Sequence, residues 1–119
     1  METIIDLDLP YPTCADHYVD PFTGVPTHEN RAYHEQAEAE CFIPKGKRYP
    51  EGERSVIVTI HHPSDRRACD DERVQLVLLD VLDRLRLLPF WMMDSLLVFH
   101  GAPREGGLLA VEIKDGGRR

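Results

Sequence analysis

The chain has 119 residues, of which 42% are hydrophobic and 29% charged. That length supports one small domain (1–119) and excludes two, and no apolar stretch approaches the roughly 20 residues that span a bilayer. Lys and Arg total 14 against 21 Asp and Glu, a formal charge of −7, which excludes a uniformly basic nucleic-acid surface and leaves only local basic patches for phosphate contacts.

The opening METIIDLDLP is acidic and lacks a basic region followed by an apolar run, so it does not read as a signal peptide, and a cytoplasmic protein is expected. Thr3–Leu9 alternates, with Ile5, Leu7 and Leu9 on one side, which predicts a half-buried strand ended by Pro10 and Pro12. Tyr11–Pro26 is a long loop rich in Pro, Asp, Gly and Thr. Thr27 is the expected N-cap of a helix from His28 to about Phe42, with Glu29 in its first turn. Ala32, Tyr33, Gln36, Ala37 and Glu40 lie along one side of it, and Pro44 and Gly46 stop it.

Residues 45–54 form a basic-leaning connector. Ser55–His61 is the clearest strand, with Val56, Val58 and Ile60 facing one way and Pro63 and Ser64 closing it. After Asp70, apolar residues at Val74, Val77, Leu78, Val81, Leu82, Leu85 and Leu88 mark one face of a second helix, broken by Pro89. Leu76 and Leu79 widen that surface toward a second element or a partner chain. Phe90–Met93 is a hydrophobic corner. Leu96–His100 and Leu108–Ile113 follow as strands, expected to pair as a hairpin across a loop holding Pro103, Gly106 and Gly107. The order β-α-β-α-β-β predicts an α+β (mixed α/β) fold. It would be a four-stranded mixed sheet with two helices on one face and dimerisation covering remaining apolar surface.

Cys14, Cys41 and Cys69 are odd in number and form no CxxC pair, which fits free thiols in a reducing compartment. The six histidines show no zinc-finger spacing, so zinc is not expected. His61 and His62, at the end of an apolar run, read as structural.

Asp70, Asp71 and Glu72 sit together where the second helix begins, and Asp94 follows the aromatic corner. Two readings of this cluster stand side by side. Acidic residues at a helix N-terminus cap free N–H groups and complement the dipole. Carboxylates that converge can instead hold Mg²⁺, which lowers the pKa of attacking water and stabilises a leaving oxygen in phosphodiester cleavage. Arg66, Arg67 and Arg73 flank the acids and could hold phosphates.

The segment 63–82, PSDRRACDDERVQLVLLDVL, resembles the signature of the RusA-type Holliday-junction resolvases. That signature is a Pro-Asp-Arg-rich segment, an Asp-x-Asp-Asn motif opening a helix, and an apolar repeat within it. PheTrpMetMetAsp (90–94) is similar to the family's aromatic turn before its third acid. LeuProTyrPro (9–12) and ThrHisGluAsnArgAlaTyr (27–33) are similar to its first strand exit and first helix. The resemblance implies a homodimeric, Mg²⁺-dependent endonuclease (Mn²⁺ as substitute) that nicks four-way DNA junctions symmetrically, an enzyme type common in phages. It implies Asp70, Glu72 and Asp94 as metal ligands and catalytic residues.

The chain departs from the pattern in several places. Glu72 stands for the second Asp, Arg73 for the Asn, and Leu76 for a lysine of catalytic importance. Ala68 and Cys69 interrupt an arginine run, and ThrCysAlaAspHisTyr (13–18) replaces an Asn-rich element. Most of these changes remove positive charge or a polar contact. Two functions follow as expectations. The first is a junction endonuclease using Asp70, Glu72 and Asp94, with Arg66, Arg67, Arg73, Lys45, Lys47, Arg48 and Arg54 on DNA. The alternative is a catalytically degenerate relative, a viral or other protein-binding module whose contact surface includes Leu76 and Leu79.

Overall fold

The computed structural model of the chain describes residues 3–12, 22–25, 27–40, 53–88 and 93–115. The elements follow the expected order: β1 (Thr3–Leu9), α1 (His28–Glu40), β2 (Arg54–His61), α2 (Asp71–Arg84), β3 (Met93–His100) and β4 (Leu108–Asp115). They form an α+β fold with one mixed four-stranded sheet in the order β1-β4-β2-β3.

Past the irregularities at the starts of β1 and β2 the sheet alternates in register, and this decides which face is covered. The row Leu7–Val111–Val58–Val98 crosses all four strands on the side that packs into the core. The rows Asp6–Glu112–Ile57–Leu97 and Asp8–Ala110–Thr59–Phe99 face away from it. Helix α2 buries Val74, Val77, Leu78, Val81 and Leu82 against the covered face, and α1 adds Tyr33 and Ala37. Burying these side chains supplies the main driving force for the fold. At the edge of the outer face, Leu97 and Phe99 on β3 are 51% and 53% exposed.

The expected hairpin between the last two strands is not formed. β3 pairs in parallel with β2, whereas β4 is inserted between β1 and β2 and is antiparallel to both. After His100 the chain continues beside the end of β2, with Gly101 N–H donating to Ile60 O and Arg104 N–H to His62 O. It then reverses through Gly106 and Gly107, both at positive φ (75° and 74°). Burial explains the choice. β4 carries Leu109, Val111 and Ile113, all at most 1% exposed, and such a strand belongs inside a sheet; β3 keeps an exposed face and takes the edge.

Two helix details also differ from expectation. The side of α1 that is buried holds Asn30, Tyr33, His34 and Ala37, while Ala32, Gln36 and Glu40 are exposed. His34 is held there because its Nε2 donates to Asp80 Oδ2 of α2 at 2.9 Å. Helix α2 ends at Arg84, before the expected Leu88. Leu87 N–H reaches back to Leu82 O, Arg86 N–H reaches Asp83 O, and Arg86 adopts φ 60°. This pair of bonds is a Schellman stop, with a non-glycine residue in the left-handed position. Among the described residues no helix is long and apolar enough to cross a membrane.

Candidate functional site

β1, β2 and β3 run in the same direction, so their carboxyl ends meet at one edge of the core. Each carries its inward-facing series one step past its last aliphatic residue. Ile5, Leu7 and Leu9 lead to Tyr11; Val56, Val58 and Ile60 lead to His62; Leu96 and Val98 lead to His100. Helix α2 begins at this edge. Asp70 is its N-cap, with Oδ1 accepting from Arg73 N–H at 2.8 Å, and Asp71 and Glu72 fill the first turn.

Asp71 lies between the two histidines. Its Oδ1 is 3.1 Å from His62 Nε2 and its Oδ2 is 2.6 Å from His100 Nε2. The imidazole rings stack at 5.7 Å with a 15° interplanar angle. One ligand atom from each of His62, Asp71 and His100 lies within 4.8 Å of the others, close enough for the three to share a metal ion. His62 and Asp71 are half-buried and His100 is exposed, so solvent reaches the group from one side.

Tyr11 supports this group from beneath. Its hydroxyl lies 2.9 Å from His62 Nδ1, accepts from the buried Cys69 N–H at 2.9 Å, and lies 3.3 Å from Cys69 O. The Arg66 guanidinium sits 5.5 Å from the centre of the Tyr11 ring and donates to Gly106 O at 3.0 Å. Asp65 Oδ1 accepts from Gly106 N–H at 2.7 Å. The 63–70 segment and the 101–107 turn are thereby tied to the same tyrosine.

The residues expected from the sequence divide into groups. Asp70 and Glu72 share the α2 opening, and Asp70 performs the capping role. Asp94 lies near the start of β3, six residues before His100, which at about 3.3 Å per residue is roughly 20 Å from the opening. A three-acid centre is therefore not assembled within one chain. Arg66 and Arg67 are exposed on the segment leading to α2, and Arg73 is half-buried in its first turn. Arg54 is buried and its guanidinium donates to Leu87 O at 3.0 Å, which anchors the far end of α2 instead of offering charge to DNA. Lys45, Lys47 and Arg48 lie outside the described residues.

His62 was expected to be structural, His100 and Tyr11 were not expected at a site, and Asp71 was expected only as part of an acidic run. The signal was present in the period-two pattern: extending each strand's inward series by one residue names all three. No protein-family model matches the chain, and no curated protein matches it.

Proposed function

We propose that this protein is a metal-dependent, structure-specific endonuclease that nicks four-way DNA junctions symmetrically as a homodimer. The observation that carries this reading is the setting of the α2 opening. Asp70, Asp71 and Glu72 stand together at the carboxyl ends of a parallel strand pair, with Arg66 and Arg67 on the segment that leads into them.

Mg²⁺ asks for one or two carboxylates and completes its shell with water and phosphate oxygens. Asp70, whose Oδ1 already accepts from Arg73 N–H, and Glu72 are the acids that would hold the ion; Asp94 of the same chain does not join them. When bound, the ion activates water and stabilises the leaving oxygen of a phosphodiester. The chain's own part is positioning. Arg67 and Arg73 supply positive charge beside the acids, where it orients a phosphate. Leu76 offers no charge one turn further on, so less stabilisation of the leaving oxygen comes from α2.

Junction cleavage by the purified chain tests the reading. Asp70→Asn retains a capping side chain but not a carboxylate. It is expected to keep the fold and junction binding while losing nicking by at least tenfold. Nicking by this variant at the wild-type rate overturns the assignment.

A second reading is favoured by one observation. Leu76 is 63% exposed on α2, an apolar side chain suited to contact with another protein. On that reading the chain is a protein-binding module without nuclease activity, and Leu76→Lys abolishes capture of its partner without altering the thermal melt.

A further inference from the structure

We infer that His62, Asp71 and His100 form a binding site for a divalent transition ion of the zinc class, with Tyr11 as the positioning residue for His62. The inference rests on the cluster itself and not on the nuclease reading, whose ion would be held by Asp70 and Glu72.

The donor set selects the metal. Two imidazole nitrogens and one carboxylate oxygen suit Zn²⁺, Co²⁺, Ni²⁺ or Fe²⁺, whereas Mg²⁺ prefers oxygen alone. The spacing suits the same ions. Bonds of about 2.0–2.2 Å arranged tetrahedrally hold ligand atoms about 3.4 Å apart. The three ligand atoms already lie within 4.8 Å of one another, and His62 Nε2 is 3.1 Å from Asp71 Oδ1. Small side-chain rotations complete the approach. Three protein ligands with one side open to solvent leave a position for water or substrate, the arrangement that separates catalytic from structural zinc sites.

A hydrogen-bonded support behind a ligating histidine is the second observation. Metal-bound histidines donate their other ring N–H to a fixed acceptor, which sets the tautomer and the ring plane. Tyr11 provides this for His62, and its remaining partners allow both states. Without metal, the Nε2–H tautomer of His62 donates to Asp71 and its Nδ1 then accepts from the Tyr11 O–H, while Cys69 N–H donates to Tyr11. With metal on Nε2, the ring carries its proton on Nδ1 and donates to the Tyr11 oxygen. The Tyr11 O–H then turns to Cys69 O, 3.3 Å away. A His–Asp–His cluster serving only to tie strands to a helix has no need of this reserve acceptor.

The test is titration of the metal-free, reduced full chain with Co²⁺, read by its visible d–d absorption, followed by displacement with Zn²⁺. Wild type is expected to give a saturable one-to-one spectrum. His100→Ala, at an exposed strand end, and His62→Ala are expected to weaken Co²⁺ binding at least tenfold. Tyr11→Phe should weaken it by roughly 10–100-fold while keeping the spectrum's shape. His28→Ala, an exposed histidine on α1, serves as the control and should change nothing. Circular dichroism of each variant separates loss of ligand from loss of fold. Lack of a saturable spectrum in wild type, or unchanged affinity in folded His62→Ala and His100→Ala, overturns the inference. Junction nicking in Mg²⁺ by a protein that fails this titration retains the nuclease and removes the transition-metal site. Co²⁺ binding without nicking does the reverse.

Discussion

Gly107 packs against Tyr11 so closely that a Cβ on the glycine would sit 2.7 Å from Tyr11 Cγ and 2.8 Å from Tyr11 Cβ. Gly106, its neighbour, shares the positive φ but has nothing within 4 Å of its Cβ position. The two glycines thus separate backbone strain from steric collision. Gly106→Ala is expected to destabilise by about 1 kcal/mol through the left-handed backbone alone. Gly107→Ala adds displacement of Tyr11 and should reach about 2–4 kcal/mol. Urea unfolding of the two variants checks the order; equal losses would mean that Tyr11 yields freely.

The stop of α2 offers a gain in stability. Arg86 holds φ 60° as the left-handed residue of the Schellman turn, a conformation that costs a non-glycine residue roughly 1–2 kcal/mol. Arg86→Gly removes that strain but gives the unfolded chain more freedom. The expected net effect is stabilisation of about 0.5–1 kcal/mol, seen as a higher urea midpoint at unchanged m-value.

His34 makes stability depend on pH. Burial between α1 and α2 lowers its pKa below the ordinary 6.5, and the Arg84 charge acts in the same direction; the Asp80 carboxylate and its hydrogen bond oppose both. The unfolded chain therefore binds the proton more readily than the folded one. Its contribution to stability is complete above about pH 6.5 and declines as pH falls toward the lowered folded value. His34→Gln keeps a donor for Asp80 without titrating, and should flatten the urea midpoint between about pH 7 and 5.

The separation of Asp94 from the α2 opening, combined with the proposed homodimer, makes a stoichiometric prediction. If a third carboxylate completes the nuclease site, it comes from the other protomer. Asp70→Asn and Asp94→Asn are then each inactive alone, and mixing them restores nicking, because each mixed dimer rebuilds one intact site. No recovery in mixed dimers would remove Asp94 from the site.

The elements were legible because their apolar periods are clean. Val56, Val58 and Ile60 on β2, and the Val74 to Leu82 stripe on α2, are all buried as expected. Strand order was not legible, since alternation specifies which face a strand buries but not which neighbour it pairs with. The inserted β4 follows from its fuller burial, a property of the assembled sheet. The weak stripe of α1 misled because its packing depends on a polar contact, His34 to Asp80, that no hydrophobic period reports. The acids at the α2 opening were visible as a contiguous run. His62 and His100 are 38 positions apart in the numbering, and only the parallel pairing of β2 with β3 brings them to one carboxylate. Asp94 was expected near Asp70 because the chain returns after α2, but it returns to the amino end of β3, the wrong end of the sheet for contact.

The most direct measurement is strand-specific cleavage of a synthetic four-way junction by the purified protein, with a linear duplex of the same sequence alongside, in Mg²⁺ and in chelator. Paired nicks at symmetry-related positions of the junction, absent from the duplex and abolished by the chelator, are the predicted result. Intact junction strands in Mg²⁺ and Mn²⁺, at protein concentrations where the homodimer is formed, would contradict the proposed nuclease.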